Sequence, residues 1–207
     1  MRTAVATEDG SPIKLSFVYP ERLSKGTLLL RAFFGWAYVG IPHGIILALY
    51  SIASIVLTAI AWWAILLNGT YPRNMFNFVV KFWRWSLRVN AYMSLFTDQY
   101  PPFNGDEIEP FPMIFTVEYP TNLSRGTLLL KTFLGWAYVG IPHGFMLWLY
   151  GIAIGFIQFI AWWAILFTGV YPRSFFDFNV AYYRWGCRVG AYTWLLTDVY
   201  PPFSGEE

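Results

Sequence analysis

Few residues in this chain have the type and spacing to do chemistry. His43 and His143 are the only histidines, and each follows a proline within Gly-Ile-Pro-His-Gly. Imidazole is a common axial ligand of haem iron, so two such residues could grip one iron from opposite sides. The plainer alternative is a histidine that bonds carbonyls freed by the neighbouring proline, or that meets lipid headgroups. With one histidine per repeat and no CxxCH attachment string, the sequence favours the plainer role and no bound cofactor. A second group, Asn77, Lys81, Arg84 and Arg88, is spaced four, three and four apart, which makes one narrow stripe on a helix. Its copy has Asp177, Arg184 and Arg188, with Ala181 where Lys81 stands. Cations on an otherwise apolar helix fit an anion or an anionic lipid. Equally, they could snorkel to headgroups or pair with Asp98 and Asp198 near the helix ends. Those two aspartates precede Tyr-Pro-Pro-Phe and read as helix-end closure. No nucleophile or histidine is spaced to make them an acid–base pair. Cys187 lies among aromatics and reads as a small apolar residue, not an activated thiol. No Cys/His metal-ligand spacing, glycine-rich phosphate loop or nucleophile motif occurs, so no catalytic residue and no metal site is assigned.

The elements that carry these residues occur twice. A shift of 100 positions brings more than half of the residues from Leu15 to Glu107 onto identical ones. GWAYVGIPHG recurs from Gly35 and Gly135, and AWWAIL from Ala61 and Ala161. The repeats are 1–105 and 106–207, with an acidic, proline-bearing linker from Asn104 to Pro112 read as an exposed boundary. In each, alternating apolar residues (Ile13, Leu15, Phe17; Met113, Phe115, Val117) end at Tyr-Pro. They predict a short strand outside the membrane, pairing with its copy or with a partner.

Next comes Ala32 to Leu67, which has no Lys, Arg, Asp or Glu; Thr132 to Val170 has none either. As one helix the first stretch would reach roughly 54 Å, and the hydrocarbon core is only about 30 Å thick. The sequence therefore predicts an interfacial elbow over 24–39, with Lys25 and Arg31 toward headgroups, a break at Gly40–Gly44, and a crossing from His43 to Leu67. The striped helix, Met75 to Phe96, is narrower in its polar face than most in-plane helices. Two near-identical repeats should insert in the same orientation, which favours an even number of crossings in each and four in all.

Composition agrees with a membrane protein: 57% hydrophobic, 21% aromatic and only 13% charged, against about a quarter charged in soluble domains. A net charge of +2 without basic runs excludes nucleic acid as a partner. Met1–Gly10 is polar, with Glu8 and Asp9, and lacks the pattern of a secretory signal. The expected fold is all-α and integral to a membrane, with short extramembrane strands and two pseudo-symmetric repeats.

In each repeat the motifs run in one order: Pro-His, Ala-Trp-x-Ala-Ile-Leu, Gly-x-Tyr-Pro-Arg (from Gly69 and Gly169), Arg-Trp-x-x-Arg-Val (from Arg84 and Arg184) and Thr-Asp-x-Tyr-Pro-Pro-Phe (from Thr97 and Thr197). In this order, over most of the chain, each repeat resembles an uncharacterised bacterial membrane domain, a domain of unknown function whose members often occur in tandem. The resemblance implies a bacterial inner-membrane location and no assigned activity or cofactor. The missing reactive residues and the aromatic-rich exterior predict a non-catalytic accessory or scaffold subunit contacting other membrane subunits and lipids. The alternatives are an anionic-lipid-binding or transport protein using the arginine stripes and, behind it, a bis-histidine haem protein.

Overall fold

The computed structural model describes residues 11–107 and 111–206; Met1–Gly10 and the middle of the acidic linker lie outside them. Each repeat supplies one strand and three helical stretches. In the first these are β1 (Ile13–Phe17), α1 (Lys25–Gly35), α2 (Ile41–Asn68) and α3 (Arg73–Met93). In the second they are β2 (Met113–Val117), α4 (Arg125–Gly135), α5 (Ile141–Thr168) and α6 (Arg173–Thr193).

The predicted break between α1 and α2 is not a break. The helix runs continuously from Lys25 to Asn68 through a π-turn at Trp36–Gly40, and the second copy runs likewise from Arg125 to Thr168. Pro42 explains the turn. Its ring removes one backbone donor, and the Ile41 N–H reaches back five residues to the Trp36 carbonyl, a wider winding that keeps the helix intact. Both long helices start at a serine cap, where Ser24 Oγ accepts from Thr27 N and Ser124 Oγ from Thr127 N. Both end at a glycine in the left-handed region, Gly69 (φ 74°) and Gly169 (φ 76°).

The repeats of the sequence interlock. β1 and β2 pair antiparallel about the central couple Leu15↔Phe115, and each strand packs on a helix of the other repeat, β1 on α6 and β2 on α3. The loops cross over too. Leu23 N donates to Gly169 O at 2.8 Å, and Leu123 N to Gly69 O at 2.7 Å. Tyr19 Oη reaches Tyr171 O, and Tyr119 Oη reaches Tyr71 O at 2.6 Å. A two-stranded ribbon is marginal alone in water. This one buries Ile13, Leu15, Met113 and Phe115 against the helices and turns Lys14 and Ile114 outward. The core is therefore shared between the repeats.

Among the described residues, two helices are long and apolar enough to cross a membrane, Lys25–Asn68 and Arg125–Thr168. α3 and α6 are not among them, which does not favour four crossings. Their exposed positions are mostly polar: Arg73, Asn74, Asn77, Lys81 and Asn90 on α3, and Arg173, Ser174, Asp177 and Thr193 on α6. On α2 the exposed side chains are apolar from Ile41 to Leu67.

Candidate functional site

The basic stripe of α3 lies beneath the segment that follows the helix. Arg84 and Arg88 are 7% and 2% exposed. Arg84 donates through Nε to Phe115 O at 3.0 Å, through Nη1 to Gly105 O at 2.8 Å and through Nη2 to Glu107 Oε1 at 2.9 Å. Arg88 donates to Asn104 O at 3.3 Å and Asp106 O at 2.6 Å. Most of these polar partners are main-chain carbonyls, and the Phe115 carbonyl belongs to the other repeat. The second copy matches: Arg184 donates to Leu15 O at 3.2 Å and Gly205 O at 2.8 Å, and Arg188 to Ser204 O at 3.3 Å and Glu206 O at 2.8 Å. Each arginine pair thus binds a tail to its own helix, while Arg84 and Arg184 also hold the strand of the opposite repeat. Burial draws the Arg84 and Arg88 guanidinium groups below their ordinary value, and the Glu107 carboxylate pulls Arg84 partly back. Both stay charged at neutral pH, as arginine does in proteins.

Sequence reasoning missed the glycines on which this clamp depends. A Cβ on Gly105 would lie 1.9 Å from the Lys81 carbonyl oxygen, and one on Gly205 would lie 1.9 Å from that of Ala181. The tail crosses its helix backbone to backbone, and only glycine fits there. The start of the linker exposes Asn104, Asp106 and Glu107 but is tied to α3, since Gly105 is buried and both neighbouring carbonyls are bonded. A signal was present in Phe-x-Gly-Asp/Glu, repeated at an interval of 100, but a lone glycine in an acidic linker reads as a turn.

His43 and His143 are fully buried. Trp85 Nε1 donates to His43 Nδ1 at 3.0 Å, His43 Nε2 meets Tyr100 Oη at 3.2 Å, and Tyr100 Oη donates to Tyr38 O at 3.0 Å. An indole N–H can only donate, so Nδ1 is the acceptor and Nε2 carries the proton. Tyr38 O is the carbonyl that Pro42 leaves without its helical donor. Phe103 stacks on the ring at 4.0 Å between centroids. The second copy repeats this with Trp185 at 3.1 Å, Tyr200 at 3.0 Å and Phe203 at 3.9 Å. Both nitrogens of each ring are engaged within its own repeat, so an iron would have to displace a tryptophan or a tyrosine.

Asp98 and Asp198 close helix ends, with partners other than the stripe. Asp98 accepts from Ser24 N at 2.6 Å and from Arg31, which also donates to Thr97 O at 2.9 Å. Asp198 accepts from Ser124 N at 2.7 Å and from Lys131 Nζ at 2.8 Å. Arg31 is therefore turned inward, 5% exposed, and not toward headgroups. The carboxylate at the head of α1 and the carbonyls at the end of α3 offer it charge and acceptors together. The Lys25 ammonium bonds Phe167 O at 2.8 Å, at the end of the other repeat's long helix. Lys81 is exposed and pairs with Asp106 at 2.6 Å. Where Lys81 would stand in the second repeat, Ala181 borders an open cavity with Tyr150, Phe178, Trp185 and Glu206. Burial raises the Cys187 thiol to about 12, so no thiolate forms at neutral pH.

Known proteins offer one point of comparison. The family described as "Domain of unknown function (DUF4389)" matches residues 28–104 and again 130–205. No curated protein and no solved structure is matched at a significant level. Each matched stretch begins inside α1 or α4, carries the histidine and the arginine pair, and leaves out the strand.

Proposed function

We propose, since the chain belongs to the DUF4389 family and carries its domain in tandem, that it is a non-catalytic accessory subunit. It is held in a bacterial cytoplasmic membrane as a scaffold for a larger membrane complex. One observation carries this reading. In each long helix only 11% of the most apolar window is buried within the chain. The exposed positions include Ile45, Leu49, Ile52, Val56, Ile60 and Trp63 on α2, and Phe145, Ile152, Phe156, Ile160 and Trp163 on α5. Apolar surface of this extent is stable only in lipid or against another protein. Aromatic side chains suit both, with large contact areas and little entropy to lose.

The polar groups support a structural role. The stripe arginines bond tails and strands, the histidines satisfy a proline-freed carbonyl through tyrosine, and the aspartates cap helices. An anionic-lipid or transport role for Arg84, Arg88, Arg184 and Arg188 would require these guanidinium groups to leave carbonyls that then lack partners. Haem ligated by His43 and His143 would displace a tryptophan or a tyrosine from each ring. Native purification from the source membrane in mild detergent tests the proposal. Stoichiometric co-purification with other membrane subunits is expected, and a monodisperse free protein would refute it.

A further inference from the structure

α3 runs antiparallel beside α2 for much of its length. Tyr38 meets Tyr92 at 2.7 Å, His43 meets Trp85 at 3.0 Å, the Tyr50 ring lies 4.4 Å from that of Phe78, and Thr58 meets Tyr71 at 3.3 Å. The two helices therefore run level with each other between residues 38 and 58, so that in a crossing whatever surrounded one would surround the other. Their free faces are opposite in character. From Leu29 to Leu67 the exposed positions of α1 and α2 hold only apolar side chains and glycine. Over the same length α3 exposes Asn74, Asn77, Lys81 and Asn90, with Met93 the one apolar exposed residue at its end.

If α2 crossed the bilayer, the Lys81–Asp106 pair, 47% and 56% exposed, would sit level with the middle of α2, in hydrocarbon. The second repeat marks that level directly: Ser204 and Glu206 line one cavity with Met146, Tyr150 and Ala153, near the middle of α5. Exposed charge at such a depth is among the least favourable arrangements a membrane protein can adopt. Length raises the same objection. The apolar stripe from Leu29 to Leu67 extends roughly 58 Å at 1.5 Å per residue, nearly twice the hydrocarbon thickness of about 30 Å. A crossing would leave half of it in water. A helix lying in the interface has neither problem, because its stripe can be of any length and its other face must be polar.

We infer that the chain is monotopic: α1–α2 and α4–α5 lie in the plane of one leaflet with their apolar stripes in the acyl region. α3, α6, the tails and the β1–β2 ribbon form a polar layer on the water side. This rests on the membrane reading above and changes its geometry. The partner of the stripes is the acyl boundary of a single leaflet, and the long helices are span-length without spanning.

Depth measurement decides it. Single cysteines at Ile45, Ile52 and Ile60, with Asn77→Cys as a water-side control and Cys187→Ala as background, are spin-labelled in liposomes of bacterial phospholipid. Oxygen and an aqueous nickel chelate then report depth. All three stripe positions are exposed, so labels there need not disturb packing. The expected profile is flat, with the three labels at one shallow depth of about 5–10 Å below the headgroups and Asn77 open to the chelate. A profile deepest at Ile52 and shallow at both ends overturns the inference, as does chelate access to all three. A flat profile from a protein that co-purifies with nothing would remove the scaffold reading and leave this one standing. A stoichiometric complex with a spanning profile would do the reverse.

Discussion

Two regions of the molecule answer the internal duplication in opposite ways. At the tail clamps the copies agree residue for residue: Arg84, Arg88 and Gly105 against Arg184, Arg188 and Gly205, with corresponding bonds. At the seam between α3 and α6 they differ. Trp83 lies over Gly190, so close that a Cβ there would be 2.0 Å from the ring, and its ring stands 6.0 Å from that of Trp194. The counterparts of this trio are Tyr183, Asn90 and Ser94, and Tyr183 Oη bonds Ser94 Oγ at 2.8 Å. At the clamps each arginine pair binds the tail of its own repeat, so each copy meets the same surroundings and needs the same residues. At the seam the copies meet each other, and one large side chain is balanced by one absent side chain. Positions that meet their own repeat must match; positions where the copies meet each other need only be complementary.

Substitutions can break or sharpen this contrast. The largest effect is expected from Gly190→Leu and Gly105→Ala. Each places atoms where an indole or a main-chain carbonyl already stands, and overpacking of this kind costs about 3 kcal/mol. Asn90→Leu, the other half of the seam pair, has no such obstacle and should cost far less in the same detergent melts. An equal loss at Gly190 and Asn90 would deny the asymmetry. Arg84→Ala and Arg184→Ala come next. Each leaves buried carbonyls without their donor, for about 2–3 kcal/mol, and the two losses should be alike. His43→Phe keeps the ring volume but orphans the Trp85 N–H and frees Tyr100, a loss of about 1–3 kcal/mol that His143→Phe should reproduce.

Smaller still is the difference between the two helix-ending glycines. Ala at either suffers the left-handed backbone, about 1–2 kcal/mol. At Gly69 a Cβ would also lie 2.7 Å from Asn122 Oδ1, whereas at Gly169 the nearest atom is Leu23 O at 3.5 Å. Gly69→Ala should therefore be the worse of the two. The smallest effect is expected at Lys81. Its ammonium holds the Asp106 carboxyl below the usual carboxylate range by hydrogen bond and charge. A depressed folded-state value contributes stability above the unfolded pKa, which is lost as pH falls through the folded one. For an exposed pair the contribution is about 0.2–1 kcal/mol. Lys81→Ala should flatten that acid-side slope of melting temperature, and Ala181→Lys should add a matching slope through Glu206.

Much of this architecture can be read from residue patterns, and the part that cannot has a physical cause. Apolar alternation before Tyr-Pro marks both strands, and the period of 100 marks the repeat. The spacing from Asn77 to Arg88 places the stripe on one helix face. The exchange of strands leaves no such trace. With two near-identical repeats, a strand packed on its own α3 and one packed on the other's α6 require the same alternation and the same arginine. The partners of that arginine were equally hidden, because backbone carbonyls have no side-chain identity to pattern against. Arg31 was misleading for a local reason. Its neighbours Phe33 and Phe34 face outward, and only the arrival of Asp98, far along the chain, turns the guanidinium in.

The shared core, the paired clamps and the seam all follow from exchange of the strands. A disulfide tests most directly the pairing of β1 with β2 on which that exchange rests. Ser16 and Ile114 are cross-strand partners on the outward face, so Ser16→Cys with Ile114→Cys, in a Cys187→Ala chain, should oxidise to a cross-link within one chain and run as a monomer. Failure to cross-link, or cross-linked species appearing only as dimers, would contradict the interlocked fold.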